Sequence, residues 1–402
     1  MRGTHPIVFL ILIVPFGAMG GYLSVAIAYQ LTQAGFSVEQ VAALVAASYV
    51  PQTWKFLWAP LADTTLSRKT WYLSAGLVSA VGVFVTGAIP AKLQFLPWLY
   101  AAVLISNVAV TFLAMASESL MIYNTRPEFH GRAGGWFQAG NLGGNGLGGG
   151  AGLWLAQNLP EPWMAAAAVA LACALCGAAL AFVPEPPRLN RTGNYGHALI
   201  AVWKDLWSIA RTRAGLLALL ICFLPIGTGA ASNLWSAVAD DWHASADTVA
   251  LVNGILSGIL SALGCLVGGY ASDRLDRKTA YALYGFLMAL TTLAMAWAPR
   301  TEAMYALFIL TYAFIQGLTY AGFTAVVLET IGLGAAATKY NVYASLSNMP
   351  IAYMTLVDGW AHTRWGASGL LELESAIGIL GIVLFVAIAK ALPQRSRSLS
   401  AS

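Results

Sequence analysis

The sequence predicts an all-α membrane protein with twelve transmembrane helices in two pseudo-symmetric six-helix bundles. Three observations carry this expectation. Residues of the AVILMFWYC set make up 58% of the 402 residues and charged residues only 9%, against about 25% charged in a soluble domain. The apolar stretches run for about 20 residues or more, the length of a membrane-crossing helix rather than of the alternating strands, about 10 residues long, of a membrane barrel. Features also recur half a chain apart: LADTTLSRKTWY (61–72) follows the second span and ASDRLDRKTAY (271–281) the eighth, while Glu118 and Glu329 lie near the same ends of spans four and ten.

Spans are expected near 6–32, 38–61, 71–90, 97–124, 134–158 and 162–183, then near 213–238, 246–270, 279–298, 302–330, 338–363 and 367–391. The first follows MRGTHP without a small-residue cleavage site, so it reads as a retained helix rather than a signal peptide. The second holds Lys55, eight residues before Asp63 and so about 12 Å deeper along a helix. An unpaired charge at such depth costs roughly 2.5–3.5 kcal/mol or more. A 12 Å offset exceeds the reach of a lysine stem, so a buried role outweighs snorkelling. Lys55 then binds an anionic solute or pairs with an acid such as Glu118.

In span five, Gln138, Asn141 and Asn145 recur at helical spacing and make one face polar, among glycines that admit another backbone. The glycines do not form a nucleotide-binding loop, because no strand precedes them. Cys173 and Cys176 in span six have C-x-x-C spacing but no second pair, and Cys222 and Cys265 also lie in apolar spans; all four read as helix packing. The polar stretch from Pro184 to Arg213 separates the halves. From His197 to Arg211 it mixes Leu199, Val202, Leu206 and Ile209 with Lys204, Asp205 and Arg211, as in a surface-lying helix or a plain helical linker. Span seven adds Asn233 and Trp235, an aromatic–polar pair suited to a ring-bearing or sugar-like ligand. Span eleven adds Tyr340, Asn341, Tyr343, Ser347 and Asn348, then Asp358 close to His362 and Arg364. The domain boundaries expected are 1–183, a linker at 184–212, 213–392, and a tail at 393–402.

Orientation follows from the basic residues. Of the 21 Lys and Arg, the outer segments receive only Lys92, Arg300 and Arg364, and Lys55 lies within a span. The remainder fall on the other side, which puts both termini and the linker in the cytoplasm.

The loops after spans two and eight resemble the signature G-x-L-x-D-R-x-G-R-R of the major facilitator superfamily. The copy from Gly269 to Lys278 keeps Asp273, Arg274, Arg277 and Lys278; the copy from Pro60 to Lys69 keeps Asp63, Arg68 and Lys69, with one extra residue and no glycine. The resemblance implies the major facilitator fold and a cytoplasmic gate of Asp63, Arg68, Lys69, Asp273, Arg277 and Lys278, in which each aspartate caps a helix of the opposite half. PQTWKFLWAPLAD (51–63) is similar to the P-x-x-x-K-F-L-W-A-P-L-x-D run of the AmpG-type permeases, the peptide and acetyl-coenzyme A transporter branch. ATKYNVYASLS (337–347) is similar to that branch's opening of span eleven. Members of the branch import cell-wall muropeptides, and shorter relatives import ferric siderophores. Ser117, Glu118 and Ser119 stand where the branch has an acidic pattern, and the chain is read as stopping at twelve spans without the branch's extra pair.

Duplicated six-helix units bind solute near the midplane between the halves. The expectation is therefore a secondary transporter of an inner, cytoplasmic-type membrane that imports an organic solute by alternating access with protons. Substrate contacts are expected from Lys55, Gln138, Asn141, Asn145, Asn233, Trp235, Tyr340, Asn341 and Asn348. Proton-coupling candidates are Glu118, Glu329 and Asp358, the last alternatively an outer-gate salt bridge. A drug exporter of the same superfamily is the alternative, although the glycine-rich span five lacks the proline of the export signature. An intramembrane enzyme is remote, because the five histidines are scattered and no H-E-x-x-H or G-x-S-x-G occurs. No cofactor, metal or nucleic acid is expected, no Walker A sequence is present, and the protein is read as a lipid-embedded monomer.

Overall fold

Short polar caps start the helices. Ser37 accepts from the Gln40 amide in a reciprocal capping box, Ser67 from Thr70, Ser245 from Thr248, and Asp276 from Thr279. Such caps satisfy amides that a helix start leaves without partners. The computed structural model describes residues 4–125, 130–185, 200, 203–204, 207–208, 211, 219–220, 222–331 and 342–391. The side chains of some helical residues, including Asp63, Asp273 and Glu329, lie outside this description.

In chain order the helices are α1 (Ile7–Gln33), α2 (Val38–Thr64), α3 (Arg68–Ala88), α4 (Leu96–Asn124), α5 (His130–Gly146, continued through Leu147–Ala151 and Gly152–Asn158) and α6 (Pro162–Phe182). After the linker come α7 (Ala246–Val249, continued through Ala250–Leu256 and Ser257–Arg274), α8 (Arg277–Trp297) and α9 (Glu302–Ile331). Asn348–Ala391 is two helices meeting at Gly366, whose φ of 67° breaks the run: α10 (348–365) and α11 (367–391). Within the linker the described residues 200, 203–204 and 207–208 are helical, with Ile200, Trp203 and Trp207 exposed. No strand occurs among the described residues.

The seventh span departs from expectation. The segment from Cys222 to Ala244 is a chain of turns and short 3-10 pieces, not the continuation of a helix to 238. Pro225 supplies no amide, and Gly227 and Gly229 take left-handed φ values of 54° and 74°. Irregular backbone at this depth persists only where its polar groups are satisfied inside the protein. Hydroxyls from three neighbouring helices do this: Tyr353 donates to the Phe223 carbonyl at 2.8 Å, Tyr281 to Ile226 at 3.3 Å, Thr319 to Gly227 at 3.2 Å, and Tyr305 to Trp235 at 2.7 Å.

The two halves repeat one packing scheme. α2 and α3 each pack on α4, and α3 on α6; correspondingly α7 and α8 each pack on α9, and α8 on α11. Glycines set the closest contacts, as expected where van der Waals packing holds helices together. A methyl on Gly17 would lie 1.9 Å from the Asn141 carbonyl oxygen in the α1–α5 pair, and one on Gly264 2.0 Å from the Phe314 carbonyl oxygen in α7–α9. Large apolar side chains such as Leu77, Ile105, Leu175, Leu266, Trp297 and Val383 point outward, as a lipid-facing surface requires. Eight stretches among the described residues are long and apolar enough to cross a membrane, and one of them, Val342–Ile388, holds both α10 and α11.

Candidate functional site

The halves meet where α2 runs along α10 and where three π-helical stretches touch: Tyr22–Ile27 of α1, Leu147–Ala151 of α5 and Ala250–Leu256 of α7. Such bulges frequently mark functional positions in helices. At the α5–α7 contact, Gly150 and Gly254 bring backbone against backbone: a methyl on Gly254 would lie 2.4 Å from the Gly150 Cα. At the bundle end read as outer, Gln33 donates to Asp240 at 2.9–3.0 Å, and Gly359 of α10 sits against Ala42 of α2.

Deeper in the bundle a polar chain crosses between halves. The Tyr49 hydroxyl of α2 donates to the Asn233 Oδ1 at 2.9 Å, and the Asn233 Nδ2 donates to Thr355 of α10 at 3.0 Å. Asn233 is buried, and both ends of its amide are satisfied. Trp235 is buried edge-on against Tyr312, ring centroids 5.2 Å apart. Lys55 lies on α2, less than two turns beyond Tyr49, half-buried and without a hydrogen bond or ion pair to a described residue. The next residue, Phe56, packs into a cluster with Cys222, Val342, Tyr343 and Leu346 of the second half.

The other expected contact residues divide. Gln138 is exposed and Asn141 half-buried; Asn141 donates to Gln138 at 3.3 Å rather than across the interface. Asn145 packs against Gly20 and Gly21 of α1, and Asn348 turns back to the carbonyls of Ala344 and Ser345. Tyr340 and Asn341 lie outside the described residues, as do the side chains of Asp63, Asp273 and Glu329. Arg68 is engaged in its own half: its Nε donates to Ser119 at 2.6 Å, and its guanidinium lies 4.5 Å from the Tyr123 ring centroid. The amides of Arg68 and Lys69 donate to Glu185 at 3.0 and 3.1 Å, so the linker's first carboxylate caps α3. In the matching loop, Asp276 caps α8 beside Lys278, and its bonds to Thr279 hold its carboxyl below the ordinary value of 3.8; Arg277 also has a partner. Glu118 is half-buried on α4.

Asp358 differs from the salt-bridge expectation. His362 pairs instead with Asp241 at 2.7 Å, and Arg364 stacks on Trp360 at 4.4 Å. Asp358 is fully buried, and neither carboxylate oxygen has a partner. Its electrostatic neighbour is Glu374 of α11, also buried, whose Oε1 accepts from the Tyr312 hydroxyl at 2.8 Å. Sequence reasoning missed Glu374; the available signal was an acid well inside an expected span, which is a functional hypothesis by default. Among the described residues no cluster of His, Cys, Asp and Glu fits a metal ion, and the four cysteines are free.

The sequence profile of the Major Facilitator Superfamily matches residues 8–355. The chain belongs to that superfamily, whose fold has twelve helices in two six-helix bundles, and it is a transporter rather than an enzyme. It is 24% identical over 366 residues to the anhydromuropeptide permease of Escherichia coli (strain K12), covering 85% of this chain and 71% of that one. Among solved structures it resembles a D-xylose-proton symporter (TM-score 0.74, 16% identity, 97% of each chain). It also resembles the nucleoside transporter NupG (TM-score 0.73, 12% identity, 96% of this chain and 98% of that one).

Proposed function

We propose that the chain imports an anionic, sugar- or ring-bearing organic solute, of the muropeptide or siderophore kind, across an inner membrane by alternating access coupled to protons. The proposal takes 1–183 and 213–392 as the rocking halves, 184–212 as a cytoplasmic linker and 393–402 as a cytoplasmic tail. The observation that carries it is Lys55. An intramembrane ammonium is costly without a counter-charge, and this one has none among the described residues. A solute carboxylate is the counter-charge that makes such a lysine useful. Tyr49, less than two turns away on α2, offers an aromatic face to the sugar or ring portion. Similarity to an anhydromuropeptide permease supports this chemistry.

Asp63 and Asp273 act in this reading as cytoplasmic latches with Arg68, Lys69, Arg277 and Lys278, and they hold that side shut when the outer contact of Gly150 and Gly254 opens. The test is equilibrium binding of a labelled anhydromuropeptide to purified wild type and to Lys55→Met. A hydrogen bond to a charged group contributes about 1.5–3 kcal/mol, so affinity is expected to fall roughly 10- to 150-fold. Equal affinity in the two proteins would sink the assignment of Lys55.

A further inference from the structure

Asp358 and Glu374 are buried acids with unpartnered carboxylate oxygens. Asp358 has no exposed surface and no hydrogen-bond donor on either oxygen; Glu374 is 7% exposed, with one oxygen unpartnered. No described Lys or Arg forms an ion pair with either. Moving one unpaired carboxylate into a low-dielectric interior is unfavourable enough that such groups take up a proton instead. Two neighbouring carboxylates intensify this, since like charges at close range do not both ionise.

The described charged and titratable groups around the pair make other contacts. From α9, Tyr312 donates to Glu374. Beyond α8, Arg300 lies over Trp242 and donates to Ser368 at 2.6 Å, about 9 Å along α11 from Glu374. From α2, Glu39 packs at the outer end beside Gly359. From the segment after span seven, Asp241 pairs with His362, and Asp240 accepts from Gln33. Glu372 on α11 accepts from Trp297, and Arg364 is stacked on Trp360. Among the described residues no Lys or Arg forms an ion pair with Asp358, although the Arg300 Nη1 is buried without a hydrogen-bond partner.

We propose that Asp358 carries the exchangeable proton of this carrier, with Glu374 as its charge partner held by Tyr312. This deepens the proton-coupled reading above and rests on it. His362 is one helical turn outward of Asp358 on α10, and with the half-exposed Asp241 it forms a titratable step between the outer surface and the buried pair. Proton uptake converts the Asp358 carboxylate to a carboxylic acid; release on the inner side regenerates the carboxylate. The link to the solute pathway is short. Thr355, three residues before Asp358, holds Asn233, which accepts from Tyr49 of the other half. The irregular segment at Ala230–Asn233 packs on the same helices. A charge appearing at Asp358 therefore lies about one helical turn from one of the hydrogen-bonded links that join the halves.

Two measurements on the full-length protein test this separately. The first needs no solute: infrared titration of the carboxylic-acid carbonyl stretch in lipid. Wild type is expected to show a buried-acid band that Asp358→Asn removes and Glu374→Gln shifts. A spectrum unchanged by both substitutions, or a band that responds to sodium rather than to pH, would overturn the proposal. The second is the steady-state ratio of labelled anhydromuropeptide in proteoliposomes, with the membrane potential clamped. One proton per solute supports about tenfold accumulation for each imposed pH unit. Asp358→Asn is expected to reduce that ratio to unity, and accumulation by the variant equal to wild type would overturn the assignment. If wild type does not move the probe at all, the solute reading fails, and the infrared result still decides the proton site, including for any variant that no longer transports.

Discussion

Gly254→Ala is expected to push the two halves apart at the outer end. In the observed arrangement a Cβ at 254 would lie 2.4 Å from the Gly150 Cα, 2.7 Å from its amide nitrogen and 3.1 Å from the Gly146 carbonyl oxygen. All three are backbone atoms, so no side chain can rotate away to make room. Overpacking of this kind costs typically about 1–3 kcal/mol. The cost falls only on the state in which α5 and α7 touch, because separated helices accommodate the methyl freely. The equilibrium between outer-closed and outer-open states therefore moves by roughly 5- to 150-fold toward open. Spin labels at Ala34 and Asp247, both exposed and on opposite halves, report the separation by pulsed electron resonance once Cys173, Cys176, Cys222 and Cys265 are replaced by alanine. A new, longer distance population in the variant is expected. An unchanged distribution in a folded variant would refute the view that this glycine contact closes the outer side.

Two further outcomes follow from single contacts. Tyr49→Phe removes the donor to the Asn233 Oδ1 and leaves a buried acceptor unbonded, at a cost of about 1–3 kcal/mol to the closed arrangement. The same spin-label pair reads it, and identical distances in variant and wild type would contradict the bridge. Asp276→Ala deletes the cap of α8, worth about 0.5–2 kcal/mol. Because folding holds the Asp276 carboxyl below its ordinary value of 3.8, its contribution is complete above that pH and disappears as pH falls through the folded value. The melting-temperature deficit of the variant is thus expected to stay constant between about pH 5 and pH 8 and to shrink only in stronger acid; a deficit that fades near neutrality would argue against the cap.

Much of this architecture was readable from residue patterns because lipid makes the rules simple. An apolar run of sufficient length forms a helix, and the gap left between 363 and 367 coincides with the break at Gly366. The seventh span was misread for a physical reason. Its apolar composition between Cys222 and Ala244 satisfies a membrane-helix pattern, while Pro225, Gly227 and Gly229 permit other backbone paths. Hydroxyls of Tyr281, Thr319 and Tyr353, remote in sequence, stabilise the irregular one. The buried acids followed the same logic. Asp358 was conspicuous within its span, but whether it would pair with His362 or Arg364 depended on Asp241 and Trp360 taking those partners first. The nearness of Glu374 is a tertiary fact that no spacing along the chain encodes.

The measurement that bears most directly on the central claim is uptake of labelled anhydromuropeptide into proteoliposomes of the wild-type protein, with and without an inwardly directed proton gradient. A proton-coupled importer accumulates the probe above its external concentration only when the outside is more acidic, and a protonophore abolishes the accumulation. Equal uptake with and without the gradient, or export of preloaded probe driven by it, would contradict the account.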